Sequence, residues 1–474
     1  MSQPRVGFIT IGDERPHEWE KVFRRLTEPL HAEAIAFFQR QPVELIAFES
    51  VARSREEIER QADAITAAKA DVLIAHVPCW TEPNLVVYAV QRLGLPTVLL
   101  SNKSPATHGT VGLLGAAGAL DQIGYPHLRV REDFDSPHLA GKLLPFIRAA
   151  YAVRRLRGSV FGLFGGRSLG IDTGSFDPMQ WRRMFGIDTE HIDQLEIIRR
   201  ANDLSPEQAH PMVEWLTGKV KRADLNIKGL TWEKLNFQVR CYLATQQIIQ
   251  EKQLDFIAVK CMPDLSNHYV PQCISAAFIP SPYDAAGPKE PVAMACEADA
   301  DGALTMHILK LVSGGTPPFF GDVSFLDDQT HTLYIPNCGA MCSWYAHRSA
   351  EPAENLAQIE LLPSIRPGGG AITYFQMAPG PVTLARLFRR KGEYYMAILA
   401  GEAITPPEEQ YKAFVEARGS HQLPTAFVHL EADFDRLIAE FGANHISGVA
   451  GNYVAELCHV CELTHVTPLV LSKG

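Results

Sequence analysis

Short apolar runs alternate with helical patterns through the first third of this chain, and that rhythm restricts the possible folds more than any other feature. The runs fall at residues 5–11, 43–48, 71–77, 96–100 and 127–130, with helical patterns such as 19–40 and 55–68 between them. Strands separated by helices cannot close as hairpins. They pair through crossovers, which gives a parallel sheet with helices on both faces. Ligands of such sheets bind at the carboxyl ends of the strands. The loops there carry Asp13-Glu14-Arg15-Pro16, Pro78-Cys79-Trp80-Thr81 and Asn102-Lys103-Ser104-Pro105. A second α/β series starts near residue 159, after the basic segment Arg154-Arg155-Leu156-Arg157. Its first run ends in Gly165-Gly166-Arg167, which matches neither GxGxxG nor a P-loop and reads as a tight turn. Helical patterns follow at 205–216 and 232–250, then a run at 255–260. Beyond about residue 326 the segments become short and β-like, with turns at Arg366-Pro367-Gly368-Gly369-Gly370 and Ala378-Pro379-Gly380-Pro381. This predicts a mostly antiparallel region with little helix before the tail.

The segment 291–325 holds the chemistry. One apolar run ends in Glu297, a helical pattern follows, and a second run carries Asp322. The 25-position interval suits a βαβ crossover, which would return both carboxylates to one rim of a sheet. Carboxylates so placed can hold a divalent cation and can move protons. A helix-cap acid and a loop acid, both solvated, would look the same in sequence. Asp299 and Asp301 read as helix-start acids that favour the macrodipole. Histidine is the usual nitrogen donor beside two carboxylates, but spacing cannot single out His445 among 17 histidines.

Composition narrows the classes. The chain has 474 residues, 46% hydrophobic and 21% charged, which is globular and leaves room for about three domains. A net charge of −10 speaks against nucleic-acid or anionic-membrane partners, which need a basic footprint. There is no apolar run long enough to span a bilayer. The opening Met1-Ser2-Gln3-Pro4-Arg5 leads straight into a strand-like run without signal-peptide features, so the expected compartment is the cytoplasm. Nine cysteines, an odd number mostly inside apolar runs, read as reduced thiols. The CxxC of Cys458 and Cys461 lies in a helical pattern without a second pair at zinc spacing, and reads as helical cysteines rather than a zinc site.

Several blocks together resemble the L-fucose isomerase family. They are ACEADADGALTMHILKLVSGG followed by FFGDVSF, then ANHISGVAG near the end, with HVPCWTEPN, NKSPATHGTVGLLGAAGALDQIG and GGRSLGIDTGSFDPMQW earlier. The carboxylate blocks are the most specific. The resemblance implies two Rossmann-like α/β domains, 1–157 and 158–326, and a β-rich C-terminal domain, 327–474. It implies Mn²⁺, or another divalent cation such as Mg²⁺ or Co²⁺, bound by Glu297, Asp322 and His445. The same two acids would act as proton acceptors in an ene-diol isomerisation of a free aldose to a ketose. Arg15, Trp80 and Asn444 are the implied substrate contacts, with Trp80 reaching a neighbouring subunit's site in a homo-oligomer, commonly a hexamer. The sugar could be L-fucose- or D-arabinose-like, or a modified hexose such as a sulfonated one. Two stretches depart from the better-known fucose isomerases: Ile335-Pro336-Asn337-Cys338-Gly339, where some relatives carry His before Cys, and Lys260 to His268, which lacks their glutamine-rich spelling. A sugar epimerase on the same scaffold, or a sugar-binding protein without catalysis, are the alternatives.

Overall fold

A computed structural model describes residues 2–419 and 421–472. The chain divides into two compact units, Met1–Arg154 and Arg155–Gly474. The expected second and third regions both lie within the second unit.

In the first unit, strands Arg5–Thr10, Glu44–Ile46, Val72–His76, Thr97–Ser101 and His127–Arg131 form one parallel sheet, in the spatial order second, first, third, fourth, fifth. Each strand falls within one or two residues of its apolar run. Val72–His76 and Thr97–Ser101 are buried at every position, as expected of inner strands covered on both faces. The Arg55–Ala67 helix is capped by Ser54, whose hydroxyl accepts from the Glu57 N–H (3.2 Å), and the Glu57 carboxylate accepts from the Arg53 N–H just before the cap (2.6 Å). The chain passes from the first strand to the second on one side and to the third on the other. The crevice between the first and third strands is therefore the switch point of this sheet, and the loops bearing Arg15 and Trp80 flank it.

In the second unit, a parallel sheet runs Ala293–Cys296, Phe256–Val259, Val160–Phe164, Asp188–Ile192. An eight-stranded sheet runs Pro318–Asp322, His445–Ala450, Gly380–Arg390, Glu393–Ala403, Thr425–His429, Thr332–Pro336, Phe325–Asp327, with Thr467–Val470 beside Glu393–Ala403. The Ala300–Val312 helix packs against strands of both sheets and is buried at all 13 positions. The crossover expectation is corrected here. Glu297 follows a strand of the parallel sheet, whereas Asp322 ends a strand that pairs antiparallel in the other sheet. The cause is visible in the helix. A crossover helix on an open face carries a polar stripe, and ADGALTMHILKLV has none, so it needs an apolar layer on each side.

The C-terminal region also holds more helix than expected before its tail: Pro352–Leu356, Glu408–Ala417 and Phe434–Glu440 precede Val454–Thr464. All nine cysteines are free thiols, six of them buried. Among the described residues no helix is long and apolar enough to cross a membrane.

Candidate metal and catalytic site

Glu297 sits in a tight turn between the Ala293–Cys296 strand and the Ala300–Val312 helix. Glu297 and Ala298 both have left-handed backbone, with φ of 57° and 54°. Such conformations cost on the order of 1–3 kcal/mol each in non-glycine residues and persist only where the surroundings enforce them. Here the Ala298 N–H donates to Val259 O (3.1 Å) and the Asp299 N–H to Cys296 O (3.1 Å). Asp299 then caps the helix, accepting from the Gly302 N–H at 2.8 Å. The turn thus projects Glu297 from the carboxyl end of a parallel strand.

Asp322 and His445 arrive from the other sheet. They are opposite each other in the antiparallel pair of Pro318–Asp322 with His445–Ala450. The three side chains meet at the imidazole: His445 Nε2 lies 3.2 Å from Glu297 Oε2 and 3.4 Å from Asp322 Oδ1. The other ring nitrogen, Nδ1, lies 2.7 Å from Asp299 Oδ2. Phe320 packs against the ring at a centroid distance of 4.8 Å. Exposure is graded: the side chains of His445, Glu297 and Asp322 are 2%, 11% and 43% accessible, so the cluster is closed below and open at Asp322.

The electrostatics follow from this packing. Burial alone would lower the His445 pKa, but hydrogen bonds to Asp299, Asp322 and Glu297 hold it well above the ordinary imidazole value. Burial would raise Asp299, yet the Arg386 charge and the His445 contact bring it down to about 2. Asp301 behaves oppositely. Burial pushes it up to about 7, although Arg386 and the Tyr394 hydroxyl favour its charged form. Tyr394 donates to Asp301 Oδ1 (2.8 Å) and accepts from Trp181 Nε1 (2.7 Å), and Arg389 approaches Asp301 at 3.9 Å. Asp299 is the cap that its place at the helix start suggested, and both helix-start acids are buried because they project into the layer between helix and sheet. Arg386, fully buried, and Tyr394 are members of this site that the sequence did not reveal. Arg386 lies in an ordinary β-run, and only its charge among apolar neighbours marks it.

Two hard carboxylates and an imidazole are a donor set that suits a divalent cation such as Mn²⁺. An imidazole whose far nitrogen is held by a carboxylate is the usual second contact of a metal-ligating histidine. Among the described residues no three such side chains form a ready-made coordination group. The acids here approach the ring nitrogen itself, and an ion would take the place of the proton between them. The residues fit the group on chemistry.

The other three expected contacts are Asn444, which directly precedes His445, and Arg15 and Trp80 of the first unit. Asn444 is exposed, and its Oδ1 accepts from the Thr173 hydroxyl (2.9 Å). In the first unit Arg15 is held by Asp13, with NH2 to Oδ2 at 2.6 Å, and stands 3.8 Å from both Glu18 and Glu82. Trp80 is half-buried against a cluster of Trp19, Phe23, Val51 and Cys79, not exposed as an interface anchor would be in a lone subunit. Its aromatic neighbours Trp19 and Phe23 come from the helical turn Trp19–Phe23 that follows the Arg15 loop, which the Trp80 loop sequence alone did not place beside it.

Comparison with known proteins now bears on this geometry. The model of the first N-terminal domain of L-fucose isomerase matches residues 3–158, and that of the C-terminal domain matches residues 335–469. The chain belongs to the L-fucose isomerase family. As a member of that family it is a sugar isomerase. Relatives include the sulfoquinovose isomerase of Alkalicoccus urumqiensis, 24% identical over 71% of this chain and 73% of the relative, and that of Priestia aryabhattai, 24% identical over 76% and 78%. The L-fucose isomerase of Vibrio vulnificus is 21% identical over 92% of this chain and 86% of its own length. The family's C-terminal domain includes His445, while Glu297 and Asp322 lie in the stretch between the two matched domains.

Proposed function

We propose that this chain is a divalent-metal-dependent aldose–ketose isomerase whose substrate is a free six-carbon sugar, with a sulfonated hexose of the sulfoquinovose type favoured. The convergence of Glu297 and Asp322 on His445 Nε2 carries the reading. The sugar follows the relatives named for sulfoquinovose, which align over about three quarters of the chain. A 6-deoxyhexose such as L-fucose is the second reading, supported by the longer alignment with an L-fucose isomerase.

An ion such as Mn²⁺, held by Glu297, Asp322 and His445, would draw negative charge from the oxygens on C1 and C2 as the carbon-bound proton leaves. The rest is the work of the side chains. Glu297 is the more buried of the two acids, at the closed end of the cluster. It takes the proton from C2, leaving an ene-diol, and returns it to C1. Asp322, open to water, takes the proton of the C2 hydroxyl and delivers it to the C1 oxygen, so that it ends the cycle as it began. Atoms balance: C2 loses one hydrogen, C1 gains one, and the carbonyl moves from C1 to C2. A sulfonate end needs a cation. Lys260, at the end of the strand next to that of Glu297, is the candidate; it lines an open groove with Gly165, Gly166, Gln194 and Asp264, and pairs with Asp264 at 2.7 Å. We further propose an oligomer, a hexamer by family resemblance, which a mass measurement in solution tests.

The deciding experiment incubates Mn²⁺-loaded protein with sulfoquinovose, L-fucose, D-arabinose and unmodified hexoses in D₂O and follows the products by NMR. A ketose carrying deuterium from solvent or an internally transferred proton supports isomerisation. Epimer formation without ketose points to an epimerase instead, and binding without exchange refutes catalysis.

A further inference from the structure

Asp299 is more than a helix cap. Its Oδ1 does the capping, accepting from the Gly302 N–H at 2.8 Å. Its Oδ2 does two other things at once: it meets His445 Nδ1 at 2.7 Å and Arg386 NH1 at 2.6 Å. Arg386 is in turn tied down by donating from NH2 to Thr173 O at 2.7 Å. Asp299 and Arg386 are both fully buried, and a buried charge pair is a costly way to cap a helix that one neutral side chain could cap. The network joins three elements: the helix start, the Gly380–Arg390 strand and the neighbouring His445–Ala450 strand. Space has been kept for it. A Cβ added at Gly302 would stand 2.6 Å from the Phe320 ring, 2.7 Å from Arg386 NH1 and 2.9 Å from Asp299 Cγ, and one at Gly174 would stand 3.2 Å from Asp299 Cα. Phe320 is the ring that packs against His445.

We infer that Asp299, braced by Arg386, is the positioning residue of this site, fixing the tautomer and the plane of His445 so that Nε2 faces Glu297 and Asp322. A carboxylate oxygen already receiving an Arg donor can only accept, so Nδ1 carries the hydrogen of that bond and Nε2 is the nitrogen turned to the site. Fixing a ligand histidine through its far nitrogen orients it and raises its basicity, and losing such a contact costs 10–100-fold in metal affinity or activity as an order of magnitude. The inference rests on the metal-site reading of the proposed function, and its test includes a readout that does not.

Asp299→Asn separates the two roles. Asparagine caps helices as well as aspartate does, but its amide places a donor where His445 and Arg386 need an acceptor. The expected result is a folded protein in which Mn²⁺ affinity, measured by calorimetry, falls at least about tenfold, and kcat falls more than KM rises. Asp433→Asn, which changes a cap at the Phe434–Glu440 helix without a ring contact, should leave both unchanged. If Asp299→Asn folds poorly, Arg386→Lys gives the second reading: it keeps the charge, loses the two-point hold on Asp299 and Thr173, and weakens Mn²⁺ binding by a smaller factor. The metal-independent readout is nitrogen-15 NMR of the metal-free protein. A protected His445 Nδ1–H in the parent that is lost in Asp299→Asn supports the inference even if no sugar is turned over. An unprotected Nδ1 in the parent, or folded variants with Mn²⁺ affinity and kcat within about twofold of the parent, overturns it.

Discussion

Asp322 faces His445 directly across an antiparallel strand pair, with the ring nitrogen 3.4 Å from the carboxylate. Glu297 reaches the same nitrogen from a different sheet, at the end of a parallel strand. The site is therefore a seam between two sheets, and the buried helix Ala300–Val312 sets the spacing between them. Chemistry placed there is held from three directions, which suits groups that must keep their positions while a proton moves.

Replacing Glu297 with Gln keeps the volume and removes the basicity. The kcat for ketose formation should fall at least about 10²-fold, the usual cost of a lost acid–base group. The left-handed turn is unaffected by the change, so the unfolding midpoint should move little. Steady-state kinetics and a urea titration check both halves.

Asp301 gives a pH test with a definite sign. Its folded pKa, about 7, is raised above the ordinary carboxylate range near 4. The native state therefore binds the proton more tightly, and the stability this supplies is present below about pH 4 and lost as pH rises through 7. Asp301→Asn imitates the protonated acid and still accepts from Tyr394. Relative to the parent it should gain stability between pH 5 and pH 8, by on the order of a few kcal/mol. Urea unfolding at the two pH values measures it, and an equal or larger loss at pH 8 would show that the charged form is the native one.

His76 does the reverse in the first unit. It is fully buried, its Nδ1 meets Thr10 Oγ1 at 3.0 Å, and burial with the nearby His31 lowers its pKa to about 3. The unfolded chain takes up the proton first, so this contribution is intact above about pH 6.5 and erodes as pH falls toward 3. His76→Gln should flatten the acid side of the stability profile of this unit, at some cost at neutral pH. A profile as steep as the parent's would assign acid sensitivity elsewhere.

Lys260 discriminates between substrates. If it meets the sulfonate, Lys260→Ala should raise KM for a sulfonated hexose at least about tenfold, as for a lost charge-assisted hydrogen bond, and leave KM for neutral sugars near the parent value. Equal effects on both would assign Lys260 to holding Asp264 instead.

Much of the architecture was legible because period and length speak directly. Every strand of the first sheet and the long helices of the second unit lie within a few residues of their apolar patterns. The partner of Pro318–Asp322 was not legible, since a short, mostly apolar run does not name the sheet it joins. The helix before it, whose few polar residues form no stripe, was the available signal. The two acids of the site stood out because charge at the end of an apolar run is unusual. His445 came only with the family resemblance, and Arg386 not at all, because contacts across 146 positions to Asp299, or from strand to helix cap, leave no trace in local spacing.

The most direct test titrates Mn²⁺ into chelator-treated protein, by calorimetry and with ketose formation followed in parallel, for the parent and for Glu297→Gln, Asp322→Asn and His445→Gln. The account predicts one tight site per chain in the parent, activity restored in step with its filling, and binding weakened at least about tenfold in each variant, as loss of a ligand should do. Full ketose formation by a verified metal-free parent, or Mn²⁺ binding that none of the three substitutions changes, would contradict it.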